Sequence, residues 1–265
     1  MPVNKGLEWT FDTVSDAYDK FRPGYVDALY ETIFRYIQLD ESSHAVEIGI
    51  GAGQATPPVL RTGCQITAVE YGEQFSALCR EKFVEYPGFS VINSRFEDVS
   101  FPAESIDFVY SASAFHWIPE EIGYRKVFDM LRSGGAFARF ANHPYRGKNQ
   151  PELSDEINRL YRKYYDAYHN RVSSAPTAYT DQQARDRALI AQKYGFTDIQ
   201  HALFFRSRHF SASEYVSLLG TYSDHIAIEE SIRKAFFSAI EDAINDHGGV
   251  MTLDDTIDLQ LARKP

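Results

Sequence analysis

The sequence predicts a doubly wound α/β fold built on a mainly parallel sheet of seven strands, and two observations carry that prediction. From Ser43 onward short apolar runs alternate with amphipathic helical segments, the pattern of βαβ units. The first run, Ala45-Val46-Glu47-Ile48, enters the turn Gly49-Ile50-Gly51-Ala52-Gly53, and a helix start follows at Gln54-Ala55-Thr56. Glycine is favoured where the backbone takes positive φ or approaches a ligand closely, and a helix start behind such a turn offers free N–H donors. The turn therefore suits a nucleotide-like ligand. An empty strand-to-helix turn is the other reading of the same residues.

In chain order, Phe11 to Gln38 reads as two helical pieces broken at Arg22-Pro23-Gly24, with Thr13-Val14-Ser15-Asp16 as a capping box at the start. Tyr18 and Arg22 share one face of the first piece. The second, Val26 to Ile37, places Leu29, Ile33 and Ile37 at helical spacing, so it should cover a sheet face. Five strands follow at Ala45 to Ile50, Gln65 to Tyr71, Ser90 to Ile92, Ile106 to Ala112 and Ala136 to Ala141. Helices fall between them at Ala55 to Arg61, Glu73 to Tyr86 and Glu120 to Leu131, the last closed by Ser133-Gly134-Gly135. After Tyr145 the alternation stops. Helices at Pro151 to Asn170, Asp181 to Lys193, Ala212 to Gly220 and Ile228 to His247 surround two late strands, Thr197 to Phe205 and Thr256 to Ala262. The organisation expected is a helical lid over 1–42, an α/β core over 43–142, and over 143–265 the rest of the core with helical cap insertions.

Composition narrows the partners. The chain has 265 residues, 44% hydrophobic, with a formal charge of −10, which disfavours the basic surfaces that nucleic acids and anionic membranes select. No window approaches the roughly 18 consecutive apolar residues of a spanning helix, and the start of the sequence has no apolar leader, so a cytoplasmic protein acting on small molecules is expected. Cys64 and Cys79 are too few for a disulfide scaffold and lack metal-site spacing. No metal is expected.

Glu70 closes the second strand at the distance from the first glycine where an acidic side chain can accept hydrogen bonds from both ribose hydroxyls. A dinucleotide fingerprint would need a further glycine at Gln54 or at Thr56, and neither position has one. Glu47 puts a carboxylate just before the turn, which suits a ligand with a cationic amine better than a pyrophosphate.

With these residues the chain resembles the class I S-adenosylmethionine-dependent methyltransferases. Glu47-x-Gly49-x-Gly51-x-Gly53 is similar to the family's first motif and Glu70 falls at its ribose-binding position. Phe96-Glu97-Asp98 and Ile106-Asp107-Phe108-Val109 resemble the loop after the third strand and the fourth strand. Ser111-Ala112-Ser113-Ala114-Phe115-His116-Trp117 and Tyr18-x-x-x-Arg22-Pro23-x-Tyr25 resemble the small-molecule subgroup of the trans-aconitate type. The resemblance implies a strand order 3-2-1-4-5-7-6 with the seventh strand antiparallel, and S-adenosylmethionine as cofactor.

It also implies roles. Gly49, Gly51 and Gly53 would bring the backbone against the aminoacyl part of the cofactor, with Glu47 near its ammonium. Glu70 would take the ribose, and Phe96 and Glu97 the adenine, through a backbone amide and a side-chain acceptor. Ser111 completes the cofactor set, and Tyr18 and Arg22 face it from the lid, Arg22 toward the carboxylate. His116 stands at the carboxyl-end edge where open α/β sheets bind ligands, as a general base or as a hydrogen-bonding pocket wall. Trp117, Asn142, His143, Tyr145 and Tyr222 are the candidates for the acceptor's walls, and the protein is expected as a monomer or homodimer. The expected reaction is methyl transfer to an oxygen, ahead of a nitrogen, of a small molecule. An NAD-dependent oxidoreductase and a non-catalytic S-adenosylmethionine-binding protein are the alternatives.

Overall fold

The computed structural model describes residues 15–147, 149–172, 174 and 177–265. Residues 11–14, with Thr13 and Val14 of the capping box, lie outside the described residues. Helices α1 (Ser15–Phe21) and α2 (Asp27–Tyr36) flank the Pro23-Gly24 break. Then come β1 (His44–Ile48), α3 (Thr56–Leu60), β2 (Gln65–Glu70), α4 (Glu73–Lys82), β3 (Phe89–Asn93), β4 (Ile106–Ala112), α5 (Glu120–Met130) and β5 (Leu131–Tyr145). The second half contributes α6 (Pro151–Leu160), α7 (Ala167–His169), α8 (Asp181–Leu189), β6 (Thr197–Ser211), α9 (Ala212–Leu219), α10 (Ser223–Ile226), α11 (Glu230–Asp246) and β7 (Val250–Arg263).

All strands join one seven-stranded sheet in the order β3-β2-β1-β4-β5-β7-β6. β7 runs antiparallel to both β5 and β6, and the other neighbours are parallel. The order reverses between β1 and β4, so the crevice where such sheets bind ligands opens above the glycine turn.

The apolar spacing in α2 explains its place. Leu29, Ile33 and Ile37 are buried against Ala45, Ile66, Phe108 and Leu259 on one sheet face, joined by Val59 of α3 and by Cys79 and Phe83 at the end of α4. Burying each such aliphatic side chain is worth about 2 kcal/mol. On the opposite face Tyr124, Val127 and Met130 of α5 cover Val46, Val109 and Phe137, with Ala191 and Phe196 beside them. A third cluster belongs to the late helices: Leu153, Ile157, Leu218, Phe236, Ile240 and Ile244 pack on Met251 and Leu253 of β7.

Several boundaries depart from the sequence reading. Helix α5 stops at Met130 rather than at Gly134-Gly135, because Leu131 turns extended and starts β5. Gly134, with φ of 80°, donates its N–H to the Lys264 carbonyl at 2.9 Å, so the glycines serve strand pairing with the chain end rather than a helix cap. β6 continues past Phe205 to Ser211 and β7 begins at Val250, because the two strands pair from Gln200↔Leu261 to Ser211↔Val250. Helix α8 starts on a capping box of Thr180 and Gln183, and α9 on one of Ser211 and Glu214. The Pro151-to-Asn170 helix contains a wide π turn, Tyr161–Asp166, which rotates Tyr161 and Tyr165 toward α10. Cys64 and Cys79 are both buried free thiols.

Candidate active site

The turn after β1 has the geometry that only glycine accepts easily. Gly49, Gly51 and Gly53 have φ of 70°, 55° and 79°. A Cβ on Gly49 would stand 2.4 Å from that of Ala114, and one on Gly53 2.6 Å from the Phe83 ring. Gly51 is the open member, with the Tyr18 ring of the lid 3.7 Å from where its Cβ would be. Glu70 spans the turn. Its Oε2 accepts the Gly51 N–H at 2.9 Å and its Oε1 the Gly72 N–H at 2.8 Å. The Lys82 ammonium ties α4 to α1, pairing with Asp19 at 2.6 Å and donating to the Ala52 carbonyl at 2.9 Å.

Beneath the turn Glu47 is fully buried. Its Oε2 accepts from Thr56 Oγ1 and from the Tyr110 hydroxyl, both at 2.7 Å. Its Oε1 has no hydrogen-bond partner among the described residues. Burial pushes the carboxyl up to about 7, against the two hydroxyl donors that hold it back. A buried, half-satisfied carboxylate at the foot of a glycine turn is matched by a ligand with an ammonium group. The aminoacyl end of S-adenosylmethionine fits that requirement, and Glu70 presents a bidentate acceptor where the ribose hydroxyls would come.

The residues at the end of α1 engage the second half of the chain. Arg22 donates from Nε to Thr221 Oγ1 at 2.9 Å and from Nη2 to the Thr221 carbonyl at 2.8 Å. Its guanidinium lies 4.9 Å from the Tyr18 ring centre and 4.1 Å from that of Tyr222. The sequence aimed Arg22 at a cofactor carboxylate; the structure holds it on Thr221. Tyr222 itself is the N-cap residue of α10, with no side-chain cap hydrogen bond. Tyr25 shares a 2.8 Å hydrogen bond with Ser113, a non-glycine residue at φ of 56°.

At the end of β4, Ser111 donates to the Ile48 carbonyl at 2.8 Å, stitching β4 to β1 just below the turn. His116 sits in a tight turn, Phe115–Trp117, exposed and next to the Trp117 ring. The surrounding chain and the Arg187 and Arg139 charges push its imidazole down to about 4, so it is neutral at pH 7. The Phe96 ring is buried in the core, which leaves only its backbone for an adenine. Lys126 pins that turn by donating to the Phe96 and Glu97 carbonyls at 2.5 and 2.8 Å.

The end of β5 divides its candidates. Asn142 accepts from Arg206 Nη2 at 3.0 Å, on the lid side, where Arg206 also bonds Asp255 and the Gly24 carbonyl. His143, next along the strand, points to the other face, bonds Asp258 Oδ1 at 2.8 Å and stacks on Tyr179. Strand alternation thus sends Asn142 and His143 to opposite faces of the sheet. Tyr145, half-buried, follows His143 on its face, where the paired residue is Asp254. Sequence reasoning missed Tyr110, Arg206 and Asp258. The signal for Asp258 was present, since an acid and Gln260 alternate with Ile257, Leu259 and Leu261 in a strand buried on both faces. It also missed the chain Tyr161–His225–Asp224–Tyr165, with hydrogen bonds of 2.9, 2.8 and 2.5 Å. Among the described residues no group of acidic, histidine or cysteine side chains is arranged to hold a metal.

Comparison with known proteins agrees with this geometry. A family described as a methyltransferase domain matches residues 46–138, from the middle of β1 into β5. An uncharacterized methyltransferase of Schizosaccharomyces pombe is 24% identical over 83% of this chain and 82% of its own length. Among solved structures, one assigned as a type II methyltransferase from Anaeromyxobacter dehalogenans superposes with a TM-score of 0.62 at 18% identity, covering 92% of this chain and 98% of the other. The phosphoethanolamine N-methyltransferase 2 of Haemonchus contortus, solved with S-adenosyl-L-methionine, gives a TM-score of 0.55 at 16% identity over 96% of this chain and 57% of that one. With Glu47, the glycine turn and Glu70 in this arrangement, the chain carries a methyltransferase domain over residues 46–138 and is an S-adenosylmethionine-dependent methyltransferase.

Proposed function

We infer that the protein transfers the methyl group to an oxygen, with nitrogen the second choice, of a small-molecule acceptor in the cytoplasm, in the manner of the trans-aconitate-type subgroup. The observation that carries the small-molecule reading is the bridge from Arg22 to Thr221, which ties the lid to the late helices. A bulky polymer would have to break that bridge to approach, and a net charge of −10 gives nucleic acid little to bind. In this reading 1–42 acts as the lid, 43–142 as the cofactor-binding core and 143–265 as the remaining core with its cap. The protein acts as a monomer or homodimer.

When bound, S-adenosylmethionine supplies an activated methyl on a sulfonium. Glu47 would meet the ammonium through Oε1, and Glu70 would accept from the ribose hydroxyls. The glycine backbone, Ser111 and Tyr18 would enclose the aminoacyl chain, and the Phe96 amide and the Glu97 carboxylate would hold the adenine. Arg22 keeps the lid shut and water out. In-line displacement at a sulfonium is helped chiefly by alignment in a dry site. Asn142, Tyr145, Trp117 and Tyr222 supply that alignment for the acceptor. His116 is neutral and accepts a hydrogen bond from the acceptor as part of the wall. Incubating the protein with methyl-labelled S-adenosylmethionine and separate pools of phenols, alcohols, amines, carboxylates, peptides and RNA tests the reading. Label in a small-molecule pool supports it, and label confined to peptide or RNA overturns it.

A further inference from the structure

On the sheet face that carries Phe137 and Ala262, a polar seam interrupts the apolar packing between β5 and β7. Arg139 pairs with Gln260 across the strands, Asp258 comes next on β7, and His143 pairs with Thr256 nearest the carboxyl end of β5. Asp258 and Thr256 are fully buried. Among the described residues, buried side-chain atoms without a hydrogen-bond partner number five, and Arg139 Nε, Gln260 Oε1 and Thr256 Oγ1 all belong to this seam. Each such orphan costs about 1–3 kcal/mol, and a fold that keeps three together is retaining a polar site, not packing a core.

His143 is the member of the seam equipped for chemistry. Its Nε2 lies 2.8 Å from Asp258 Oδ1. A carboxylate oxygen accepts, so Nε2 carries the hydrogen and the lone pair is left on Nδ1. Asp258 is held from its other oxygen, which accepts from Gln260 Nε2 and lies 3.8 Å from Arg187. Tyr179 stacks on the imidazole with ring centres 3.9 Å apart, fixing its plane. Nδ1 has no hydrogen-bond partner among the described residues, and the side chain is 24% exposed. The charged and titratable groups around the ring are Asp258 on β7, Arg187 on α8, Tyr179 before α8, Arg139 on β5 and His116 after β4, while β6 contributes Leu203 and Phe205 opposite Asp258 and Thr256. His116, by contrast, feels the Arg187 and Arg139 charges.

We propose that His143 is the general base of this methyltransferase, taking the proton of a hydroxyl or amine acceptor on Nδ1 while Asp258 positions the ring and balances the imidazolium. The proposal rests on the methyl-transfer reading above. As the acceptor oxygen or nitrogen bonds to the methyl carbon, the carbon–sulfur bond breaks with its electrons on sulfur, and the acceptor proton passes to His143 Nδ1 and on to solvent. His143 touches the acceptor; Asp258 acts through His143.

Two measurements test this. Long-range 1H–15N spectra of the wild-type protein, with no ligand, are expected to show His143 as the Nε2–H tautomer, and Asp258→Asn to relax that preference. An Nδ1–H tautomer in the wild type overturns the proposal whatever the acceptor is. On the hydroxyl or amine acceptor that takes label in the pools above, H143Q and D258N are expected to lower kcat by about a hundredfold or more with KM little changed. The rise of kcat with pH disappears in H143Q. Retained kcat in H143Q, or methylation of carboxylates alone, overturns His143 as base and leaves the methyltransferase reading standing. Failure of the wild type to bind S-adenosylhomocysteine, with the tautomer intact, counts against that reading instead.

Discussion

Glu70 and Gly51 are joined across the crest of the site: the carboxylate at the end of β2 accepts the amide of the central glycine at 2.9 Å and that of Gly72 at 2.8 Å. The glycine turn is thereby held by the carboxylate that the proposed reading assigns to the ribose. Glu70→Ala removes both roles. It is expected to weaken S-adenosylhomocysteine binding by at least about tenfold, equivalent to about 1.4 kcal/mol, in a calorimetric titration. Unchanged affinity would take Glu70 out of the cofactor site.

Glu47 should make both stability and cofactor binding depend on pH. Burial raises its carboxyl from 4.5 to about 7, so the folded chain keeps a proton that the unfolded chain gives up. Its contribution is intact below about 4.5 and is lost as the pH rises through about 7, a change of about 3 kcal/mol. The stability of the wild type relative to Glu47→Gln should therefore fall between about pH 5 and about pH 8, read by denaturant unfolding. Cofactor affinity should move the other way over that window, because the ammonium selects the ionised carboxylate. A pH-independent difference between the two proteins would contradict the buried-carboxylate account.

Arg22 ties the end of α1 to Thr221 and Tyr222 with two hydrogen bonds and two ring contacts, the bridge proposed to hold the site closed. Charged hydrogen bonds of this kind are worth about 1.5–3 kcal/mol. Arg22→Ala is expected to speed S-adenosylhomocysteine dissociation by roughly tenfold in stopped-flow displacement while leaving the melting temperature within a few degrees of wild type. If dissociation is unchanged, the bridge to Thr221 does not gate the site.

The glycines should differ in a graded way. Gly49→Ala puts a Cβ 2.4 Å from that of Ala114 at a positive φ and is expected to cost about 2–4 kcal/mol of stability. Gly134→Ala, also at positive φ but with nothing within 4 Å, should cost about 1–2 kcal/mol. Equal melting temperatures for the two variants would mean that the close approach to Ala114 is not sustained.

What the sequence disclosed was local. Glu47, the three glycines and Glu70 lie within one βαβ unit, where spacing alone sets geometry, and the strand order followed once that unit was recognised. What stayed hidden was long-range. Arg22 meets Thr221 across 199 residues and His143 meets Asp258 across 115. Neither distance leaves a periodic trace. Asn142 and His143 were grouped because they are adjacent, yet β5 runs on to Tyr145 and alternation separates them. The lengths of β6 and β7 were underestimated for a related reason: their far ends are stabilised by pairing with each other, not by an apolar pattern that either strand carries alone.

The most direct test of the central claim is calorimetric titration of S-adenosylhomocysteine into the wild type and Gly51→Val. Gly51 sits at φ of 55°, where a β-branched residue is strained and its side chain enters the space beside Tyr18. The expected result is saturable one-site binding to the wild type and at least about tenfold weaker binding to the variant. No binding to the wild type, or equal affinity for the two proteins, would contradict it.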